Sequence, residues 1–366
     1  MVVAGLAALC ALPALVGAVP VSGSSDLSLR ALLAKVRASD SVGYSGYAES
    51  RGTLGLPKIP RLSGIDDLLS GTTQMRVWYA GPTRFRVDEI GLIGETDTYV
   101  GDGGSWRWES DERRATLIVG LQPVRLPRGG DLLPADLGRR LAAAARPSEL
   151  HRLPPRRIAG RTALGVRIVP RDPATTVGRV DLWVDRSTGL PLRVEVSGRA
   201  AAPTLITSYL DLRIGRPALR LTEFHPPADA SIDTTAAPDL AAAVDRYAPY
   251  VLPPAIAGLP RRARVAGVGG SGGTATYGDR YTLLTVLPLP SGIGSSILES
   301  LKGPPARLLT IAGAPAAALP TPLVNALVLS ADSGYFLLAG SVRLPILERA
   351  AAQLVATPPP YRPVAP

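Results

Sequence analysis

The feature that most constrains the fold is a change in hydrophobic period close to residue 43. Upstream, residues 29–36 carry leucine and valine at the spacing of one helix face, which predicts a helix beginning after Asp26. Downstream, apolar residues alternate with polar ones, and glycine, proline and aspartate separate the alternating segments. These segments are 43–53, 71–79, 84–88, 96–100, 106–108 and 114–119. Short strands joined by tight turns predict an antiparallel sheet.

The same pattern resumes after a second helix. Residues 131–145 have an apolar side of leucine and alanine, and Pro147 ends the predicted helix. Further strands are predicted at 161–169, 179–184, 192–197, 204–214 and 224–232, the last of which closes the domain. The arrangement indicates an α+β protein in which helices pack on an antiparallel sheet.

A chain of 366 residues is too long for one ordinary domain and predicts two. We assign 25–235 to the first domain and 264–355 to a smaller C-terminal α+β domain. Between them, 236–263 combines a short helical piece at 239–247 with a proline-rich stretch, which together predict a linker. The proline-rich end, 356–366, is predicted to be disordered.

Residues 1–24 predict export. Val2 to Val19 form a long apolar run, of the right length for a signal-peptide core and marginal for a membrane span. Small residues stand at 16–18, where a signal peptidase cleaves. We predict a signal peptide or an uncleaved anchor, with the remaining chain outside the cytoplasmic membrane, either secreted or held by that anchor. Cys10 is preceded by Leu9 rather than by a small residue, which disfavours lipidation.

The formal charge of +10 comes almost entirely from arginine. Such a charge can indicate binding to nucleic acid or to anionic lipid. The arginines are scattered along the chain, and in Arg84-Phe85-Arg86 alternation places them on one face of a strand. This distribution favours a solvated outer face near an anionic membrane surface and disfavours nucleic acid as a partner.

The residues of common catalytic and metal sites do not occur in the necessary patterns. The two histidines, His151 and His225, lie far apart in the sequence, and with one cysteine they cannot form a usual zinc site. No G-x-S-x-G elbow stands between strand and helix, and the glycine-rich stretches lack the G-K-[ST] ending of a phosphate loop. The sequence therefore predicts a non-enzymatic protein without metal or cofactor, an exported hydrolase being the weaker alternative.

Three blocks of sequence follow one another in a characteristic order. The first, within 71–119, contains Met75-Arg76-Val77-Trp78-Tyr79, Gly81-Pro82, Arg84-Phe85-Arg86, Gly101-Asp102-Gly103 and Trp106-Arg107-Trp108. The second is Val180-Asp181-Leu182-Trp183-Val184-Asp185, followed by Thr188-Gly189-Leu190-Pro191, and the third is Phe224-His225-Pro226-Pro227-Ala228-Asp229. Together they span about 25–235 and resemble the LolA/RseB-like family of exported proteins, that is, the lipoprotein-localisation factors and their MucB/RseB-type relatives.

The resemblance implies a LolA-like unclosed antiparallel half β-barrel lidded by helices on its concave side. LolA-like members carry lipids or lipid-modified proteins in that cavity. RseB-like members have a second, smaller domain and regulate an anti-sigma factor in envelope-stress signalling. Two predicted domains favour the RseB-like architecture, whereas the insertion 54–69 lengthens the first hairpin beyond the carrier pattern.

Two functions are open on this basis. The chain is a carrier that holds a lipid, an acyl chain or a lipoprotein, or it is a regulator that binds a membrane-anchored anti-sigma factor. The candidate lining of the hydrophobic trough is Met75, Val77, Tyr79, Phe85, Val87, Trp106 and Trp108, although the same residues can form an ordinary sealed core. Alternation turns Trp78 and Trp183 to the opposite face, which makes them the candidate partner surface.

Overall fold

A computed structural model describes residues 27–57, 64–101, 103–120, 127–200, 202–237, 250–263 and 274–361. The predicted signal peptide or anchor, 1–24, and the helical piece expected at 239–247 lie outside the described residues. Among the residues described, no helix combines the length and the hydropathy needed to cross a bilayer. The chain folds into two domains, and each is built on its own large sheet.

The described part of the first domain holds three α-helices and a long series of strands. The helices are α1 (Leu29–Arg37), α2 (Ile65–Ser70) and α3 (Pro134–Ala144). The strands before α3 are β1 (Tyr44–Gly52), β2 (Thr72–Gly81), β3 (Arg84–Ile90), β4 (Glu95–Gly101), β5 (Gly104–Glu109) and β6 (Arg114–Val119). Those after it are β7 (Leu150–Ile158), β8 (Arg161–Ile168), β9 (Arg179–Asp185), β10 (Pro191–Ser197), β11 (Leu205–Ile214) and β12 (Ser231–Ala236).

All these strands join one 12-stranded sheet in the order β12-β6-β5-β4-β3-β2-β1-β11-β10-β9-β8-β7. Neighbours are antiparallel, except that β12 runs parallel to β6. The end strands β7 and β12 do not pair with each other, so the barrel is unclosed. The sheet is strongly curved, because β7 contacts β11 although β8, β9 and β10 lie between them.

Helices α1 and α3 cover the half of the sheet formed by β7 to β11. Helix α1 begins at Ser28, whose Oγ accepts the Ala31 N–H at 3.2 Å, and it buries an apolar stripe that includes Val36. Helix α3 packs directly on β10. At Gly138 a Cβ would lie 2.5 Å from the Cβ of Pro191, so glycine is what permits this close approach.

The second domain is a six-stranded antiparallel sheet with a helix on each face. Its elements are β13 (Ala255–Ile256), β14 (Leu259–Pro260), β15 (Ala275–Asp279), β16 (Thr282–Leu289), α4 (Ser291–Ser300), β17 (Arg307–Ile311), β18 (Ala314–Leu319), β19 (Asn325–Ala331), β20 (Gly334–Gly340) and α5 (Leu344–Ala356). The sheet order is β15-β16-β20-β19-β18-β17. Leu327 and Leu329 face α5, whereas Val328 between them faces α4, as a period of two requires.

The segment between β8 and β9 joins the two domains. Thr175 is fully buried there, and its Oγ donates to the carbonyl oxygens of Tyr281 at 2.6 Å and Ser341 at 3.0 Å. Tyr281 of the second domain in turn donates its hydroxyl to the Leu141 carbonyl in α3 at 2.6 Å. An ion pair between Arg280 and Glu149, at 2.7 Å, adds a charged contact. The second domain is thereby attached to the helix that covers the first domain's sheet.

The predicted fold class is confirmed as α+β, with an open, mainly antiparallel sheet lidded by helices and a smaller second domain. Two strand predictions were wrong. Strand β7 was missed because its sequence is polar and contains Pro154-Pro155, which an edge strand tolerates since its outer N–H groups have no strand partner. The strand expected at 224–232 begins only at Ser231, because 224–230 cross the sheet as irregular chain.

The boundaries around the second domain also differ from expectation. The described residues 250–263 are not a free linker, because Leu252 and Ile256 are buried in the core of the second domain. The expected disordered end, 356–366, is ordered as far as Tyr361. There the Val251 N–H donates to the Pro360 carbonyl at 2.9 Å, and the rings of Tyr250 and Tyr361 lie 5.6 Å apart. Proline-rich composition misled the prediction because the chain around these prolines is held by backbone hydrogen bonds and by a contact between two tyrosine rings.

Candidate functional site

The concave side of the sheet's other half, β2 to β6, encloses a hollow of about 940 Å³. Strands β2 to β5 form one wall, and the chain from Arg128 to Arg139, including the first turns of α3, forms the other. The apolar lining comprises Val77, Tyr79, Phe85, Val87, Val100 and Leu133. The charged lining comprises Asp40, Glu89, Arg128, Asp131, Asp136 and Arg139. A pocket of this size and mixture is typical of sites for small amphiphilic ligands.

Strand register explains why these side chains meet. Val77 of β2 lies opposite Val87 of β3, which lies opposite Thr98 of β4, so the three share one face. In the next row Tyr79 lies opposite Phe85, and Phe85 lies opposite Val100. The rings of Tyr79 and Phe85 stack with their centroids 6.0 Å apart. The floor of the hollow is therefore a two-row apolar ladder.

A short 3-10 turn, residues 129–132, holds the opposite wall against β3. The Gly129 N–H donates to Glu89 Oε1 at 2.9 Å. Burial raises the pKa of Glu89, against the opposing effect of this hydrogen bond. A Cβ at Gly129 would come to 2.6 Å from Glu89 Cδ, so a larger residue would push the Glu89 carboxylate out of this position. Glu89 thus joins the two walls of the hollow.

At the α3 end of the hollow, tyrosines and an arginine come together. The rings of Tyr44 and Tyr79 stack at 5.1 Å, and Tyr209 meets Tyr44 edge-on at 5.7 Å. The Arg139 guanidinium lies 5.6 Å from the Tyr79 ring. Burial raises the pKa of both Tyr44 and Tyr209, while the positive charge of Arg139 acts in the opposite direction on both. Sequence patterns had singled out only Tyr79 of these residues, because the others lie on three different elements.

Of the seven residues proposed as lining, four lie where they were placed. Val77, Tyr79, Phe85 and Val87 line the hollow. Met75 shares their face of the sheet, but it is fully buried and stays outside the lining, in the sealed core.

Trp106 and Trp108 are on the wrong side of the sheet for a lining role. Trp106 lies opposite Tyr99, and Trp108 opposite Asp97, which places them on the outer, convex face. There Phe224 covers both indoles, with ring centroids at 5.3 Å and 6.0 Å. Alternation correctly predicts that the two tryptophans share a face. It does not say which face, because that depends on the register across the β4–β5 turn.

Of the two tryptophans proposed as the partner surface, only one lies where it was expected. Trp78 does lie on the convex face, where the Arg86 guanidinium stands 4.7 Å from its ring. Trp183 is not exposed, since only 3% of its surface is accessible. Its Nε1 donates to the Pro154 carbonyl at 3.2 Å, and the Arg156 guanidinium covers the ring at 3.8 Å. The missed strand β7 explains the error, because β7 supplies this cover.

The convex face behind the hollow carries a crowded set of charges. Arg86 donates to Asp88 at 2.6 Å and to Asp97 at 3.1 Å, and Glu95 brings a third carboxylate oxygen within 4.8 Å of the other two. The remaining oxygen of Asp97 is buried and accepts no hydrogen bond from any described residue. Burial, followed by the charge of Asp88, raises the pKa of Asp97 to about 7. This aspartate therefore titrates near neutral pH.

The sequence itself carries a family signal across part of this sheet. Residues 113–226 match the model of the MucB/RseB N-terminal domain. This part of the first domain is similar to that family's domain. The match includes the second block of the sequence resemblance and the beginning of the third, that is, strands β7 to β11 and the chain leading to Phe224.

Several solved structures are similar to this chain. One is MucB in complex with MucA(peri), with 16% identity, 88% of this chain and 97% of that chain covered, and a TM-score of 0.46. A chain of the Pseudomonas aeruginosa MucA/MucB complex has 18% identity, coverages of 87% and 95%, and a TM-score of 0.43. A LolA superfamily protein from Nitrosomonas europaea has 13% identity, coverages of 53% and 97%, and a TM-score of 0.25. No curated protein matches the chain.

Proposed function

We propose that this protein is an exported, non-enzymatic binding protein that holds an acyl chain, free or as part of a lipid or lipoprotein, in the hollow. The observation that carries the proposal is the apolar ladder of Val77, Tyr79, Phe85, Val87 and Val100 beside about 940 Å³ of space. The match of residues 113–226 to the MucB/RseB N-terminal domain supports it, as does the export signal predicted at 1–24.

The energetics allow such a ligand. Each buried methylene contributes about 0.8 kcal/mol, so a sixteen-carbon chain gains on the order of 10 kcal/mol before the cost of its immobilisation. The hollow lies within the range of roughly 300–1,000 Å³ that small-molecule sites occupy. The net affinity is smaller than the gross gain, because ordering a flexible chain is unfavourable.

Native mass spectrometry of the protein purified from its own cell envelope tests the proposal. We expect adducts with the masses of lipids or fatty acids, and extraction with organic solvent should remove them. A fluorescent acyl probe should then bind the stripped protein. A protein that carries no adduct and also fails to bind the probe would contradict the proposal.

A second candidate function is regulation by binding a membrane-anchored anti-sigma factor, as the resemblance to RseB-like proteins implies. The observation that favours it is the firm attachment of the second domain, through Thr175 and Tyr281, to the helix that walls the hollow. A ligand in the hollow and a partner on the second domain would then share helix α3. Affinity purification from envelope extracts should recover a single-pass membrane protein if this function is the correct one, and a lipoprotein if the protein is a carrier.

A further inference from the structure

The α3 end of the hollow contains hydrogen-bond donors that lack an acceptor. Arg139 Nη1 is buried and has no acceptor among the described residues. The Tyr209 hydroxyl is also buried; it lies near the Tyr44 hydroxyl and the Ala135 N–H but forms no well-aligned hydrogen bond with either. Tyr209 is 1% exposed, so bulk water cannot satisfy it. Leaving a buried polar group unpaired costs about 1–3 kcal/mol, and more when the group is charged. Arg139 and Tyr44 line the hollow, and Tyr209 packs against Tyr44, so these groups together point to a ligand that supplies the acceptor.

The same end of the hollow is where α3 begins, without a side-chain cap. Its N-cap residue is Leu133, which cannot accept from the first-turn N–H groups, and Pro134 occupies the first helical position. Helix N-termini attract anions, because their free N–H groups and the helix dipole both favour negative charge. Leu133, Asp136 and Arg139 all line the hollow, so a ligand inside it can reach this turn.

The carboxylates of the hollow already have partners of their own. Glu89 accepts the Gly129 N–H, and Asp131 accepts the Arg128 N–H at 2.9 Å. Asp136 pairs with Arg140 at 3.0 Å and is 3.7 Å from Arg139 Nη2, while Asp40 is exposed. At this end of the hollow it is therefore donors, rather than acceptors, that lack hydrogen-bond partners. A negatively charged ligand group would supply the missing acceptor.

We infer that Arg139, Tyr44, Tyr209 and the first turn of α3 form a subsite for the anionic headgroup of an acyl amphiphile. The inference rests on the proposed function, because it assumes that the acyl chain occupies the apolar ladder. Carboxylate and phosphate headgroups both offer an anionic oxygen, which accepts hydrogen bonds from a guanidinium and a phenol together. The chain then runs from Tyr44 along Val77, Phe85 and Val100.

Three sixteen-carbon probes distinguish headgroup recognition from acyl binding in the full-length, delipidated protein. Palmitate, hexadecyl phosphate and hexadecanol are compared by displacement of a fluorescent acyl probe. We expect at least one of the two anions to bind about tenfold or more tightly than the neutral alcohol, since a charge-assisted hydrogen bond contributes about 1.5–3 kcal/mol. The anion that binds more tightly identifies the headgroup as carboxylate or phosphate.

Substitutions of Arg139 and Tyr209 test whether these residues cause the preference for the anionic probes. Arg139→Met should bring the anions down to the affinity of hexadecanol, whereas Arg139→Lys should keep part of the preference because it keeps the charge. Tyr209→Phe should reduce the preference without changing hexadecanol binding. The matched control is Arg213→Met on β11, an exposed arginine outside the lining of the hollow, which should leave all three affinities unchanged. Circular dichroism and thermal unfolding confirm that each variant is folded.

The possible outcomes separate this inference from the proposed function. Equal binding of all three probes to the native protein would overturn the anionic subsite and leave the acyl-binding function standing. Failure of all three probes to bind would overturn the function itself, and the subsite with it. An anion preference that survives in both Arg139→Met and Tyr209→Phe would show that the headgroup binds elsewhere, which also overturns the inference.

Discussion

The two halves of the large sheet use their concave faces differently. Under α1 and α3, strands β8 to β10 bury Val166, Leu182, Leu192 and Val194 completely. Across the centre of the sheet, strands β2 to β5 present apolar residues of the same kind to a hollow of about 940 Å³. Helix α3 packs against β10 at Gly138 but covers β2 to β5 only through its first turns and the segment before it. Close packing stabilises one half, and the other leaves room for a ligand.

Two buried aspartates, one in each half of the sheet, differ in their hydrogen bonding and therefore in their pKa. Asp185, at the end of β9, is 2% exposed and accepts from Arg161, Ser187 and Thr188. Burial tends to raise its pKa, but these hydrogen bonds outweigh that effect and lower the pKa to about 2. Asp97, in β4, is 4% exposed, and its pKa is raised to about 7 because burial and Asp88 outweigh Arg86. The carboxylate of Asp185 is thus well hydrogen-bonded, whereas one oxygen of Asp97 has no hydrogen-bond partner among the described residues.

The unfilled volume is what distinguishes the two halves of the sheet. Natural proteins fill their cores to the density of organic crystals, so a large unfilled volume beside apolar side chains is unusual. Unsatisfied buried polar groups are similarly rare. The unfilled volume lies beside strands β2 to β4 and the adjoining end of α3, whereas buried polar groups without a hydrogen-bond partner occur in both halves, at Asp97 and Arg139 and also at Ser197 and Thr207.

The largest effect is expected from truncating a leucine in the sealed half. Leu192→Ala should lower the free energy of unfolding by about 3–5 kcal/mol, because it loses apolar burial and leaves a cavity under α3. The matched variant in the other half is Leu133→Ala, which enlarges a hollow that already exists. It should cost only the transfer contribution, about 2 kcal/mol. Urea unfolding of both variants measures the difference.

Equal losses in these two variants would contradict the comparison, because they would mean that the hollow closes around Leu133 in solution. Leu92→Ala at the β3–β4 turn serves as a control, since that side chain is fully exposed. Its free energy of unfolding should change by less than about 0.5 kcal/mol.

The sequence predicted the sealed half and the hollow unequally, for physical reasons. A period of two identifies strands, and the three sequence blocks indicated their family, so the open sheet and its lidding helices were predictable. Which face each strand turns inward depends on register across turns, and that is why Trp106 and Trp108 were assigned to the hollow although they lie against Phe224.

The polar end of the hollow could not be found from sequence patterns. Tyr44 is on β1, Arg139 is on α3 and Tyr209 is on β11. Only the pairing of β1 with β11 and the packing of α3 bring them together. An arginine in an otherwise amphipathic helix is ordinarily a solvated residue, and nothing in its spacing distinguished Arg139 from the exposed Arg140.

The two buried aspartates should respond to pH in opposite directions. The folded-state pKa of Asp97, about 7, exceeds the ordinary value of 3.8, so its contribution to stability is complete below 3.8 and is lost as pH rises through about 7. The folded-state pKa of Asp185, about 2, is below 3.8, so its contribution is present above 3.8 and is lost as pH falls through about 2. Asp185→Asn should therefore destabilise the protein by about 2 kcal/mol at neutral pH, since charge-assisted hydrogen bonds are lost.

Asp97→Asn should behave in the opposite way. At pH 8 the variant should unfold at higher urea than the native protein, by about 1 kcal/mol, because it removes the cost of ionising a buried carboxylate. At pH 5 the gain should disappear, since Asp97 is then protonated in the native protein. A variant that is less stable at both pH values would show that the ionised Asp97 is needed by Arg86, which would contradict a raised pKa of Asp97.

Adding a phenyl ring to each half, rather than removing volume, should destabilise the sealed half alone, and the change at the hollow is the smallest expected. Val194→Phe in the sealed half has no space to enter, and overpacking should cost about 1–3 kcal/mol. Val100→Phe places the same ring at the edge of the hollow and should change the free energy of unfolding by less than about 0.5 kcal/mol.

Acyl binding should show the reverse order, because the new ring at position 100 occupies the path of the chain. Affinity for a fluorescent acyl probe should fall at least about tenfold in Val100→Phe, which corresponds to 1.4 kcal/mol, and stay unchanged in folded Val194→Phe. If Val100→Phe instead proved as destabilising as Val194→Phe, the space beside β4 would already be filled in solution, and strands β2 to β5 would be a core like the rest.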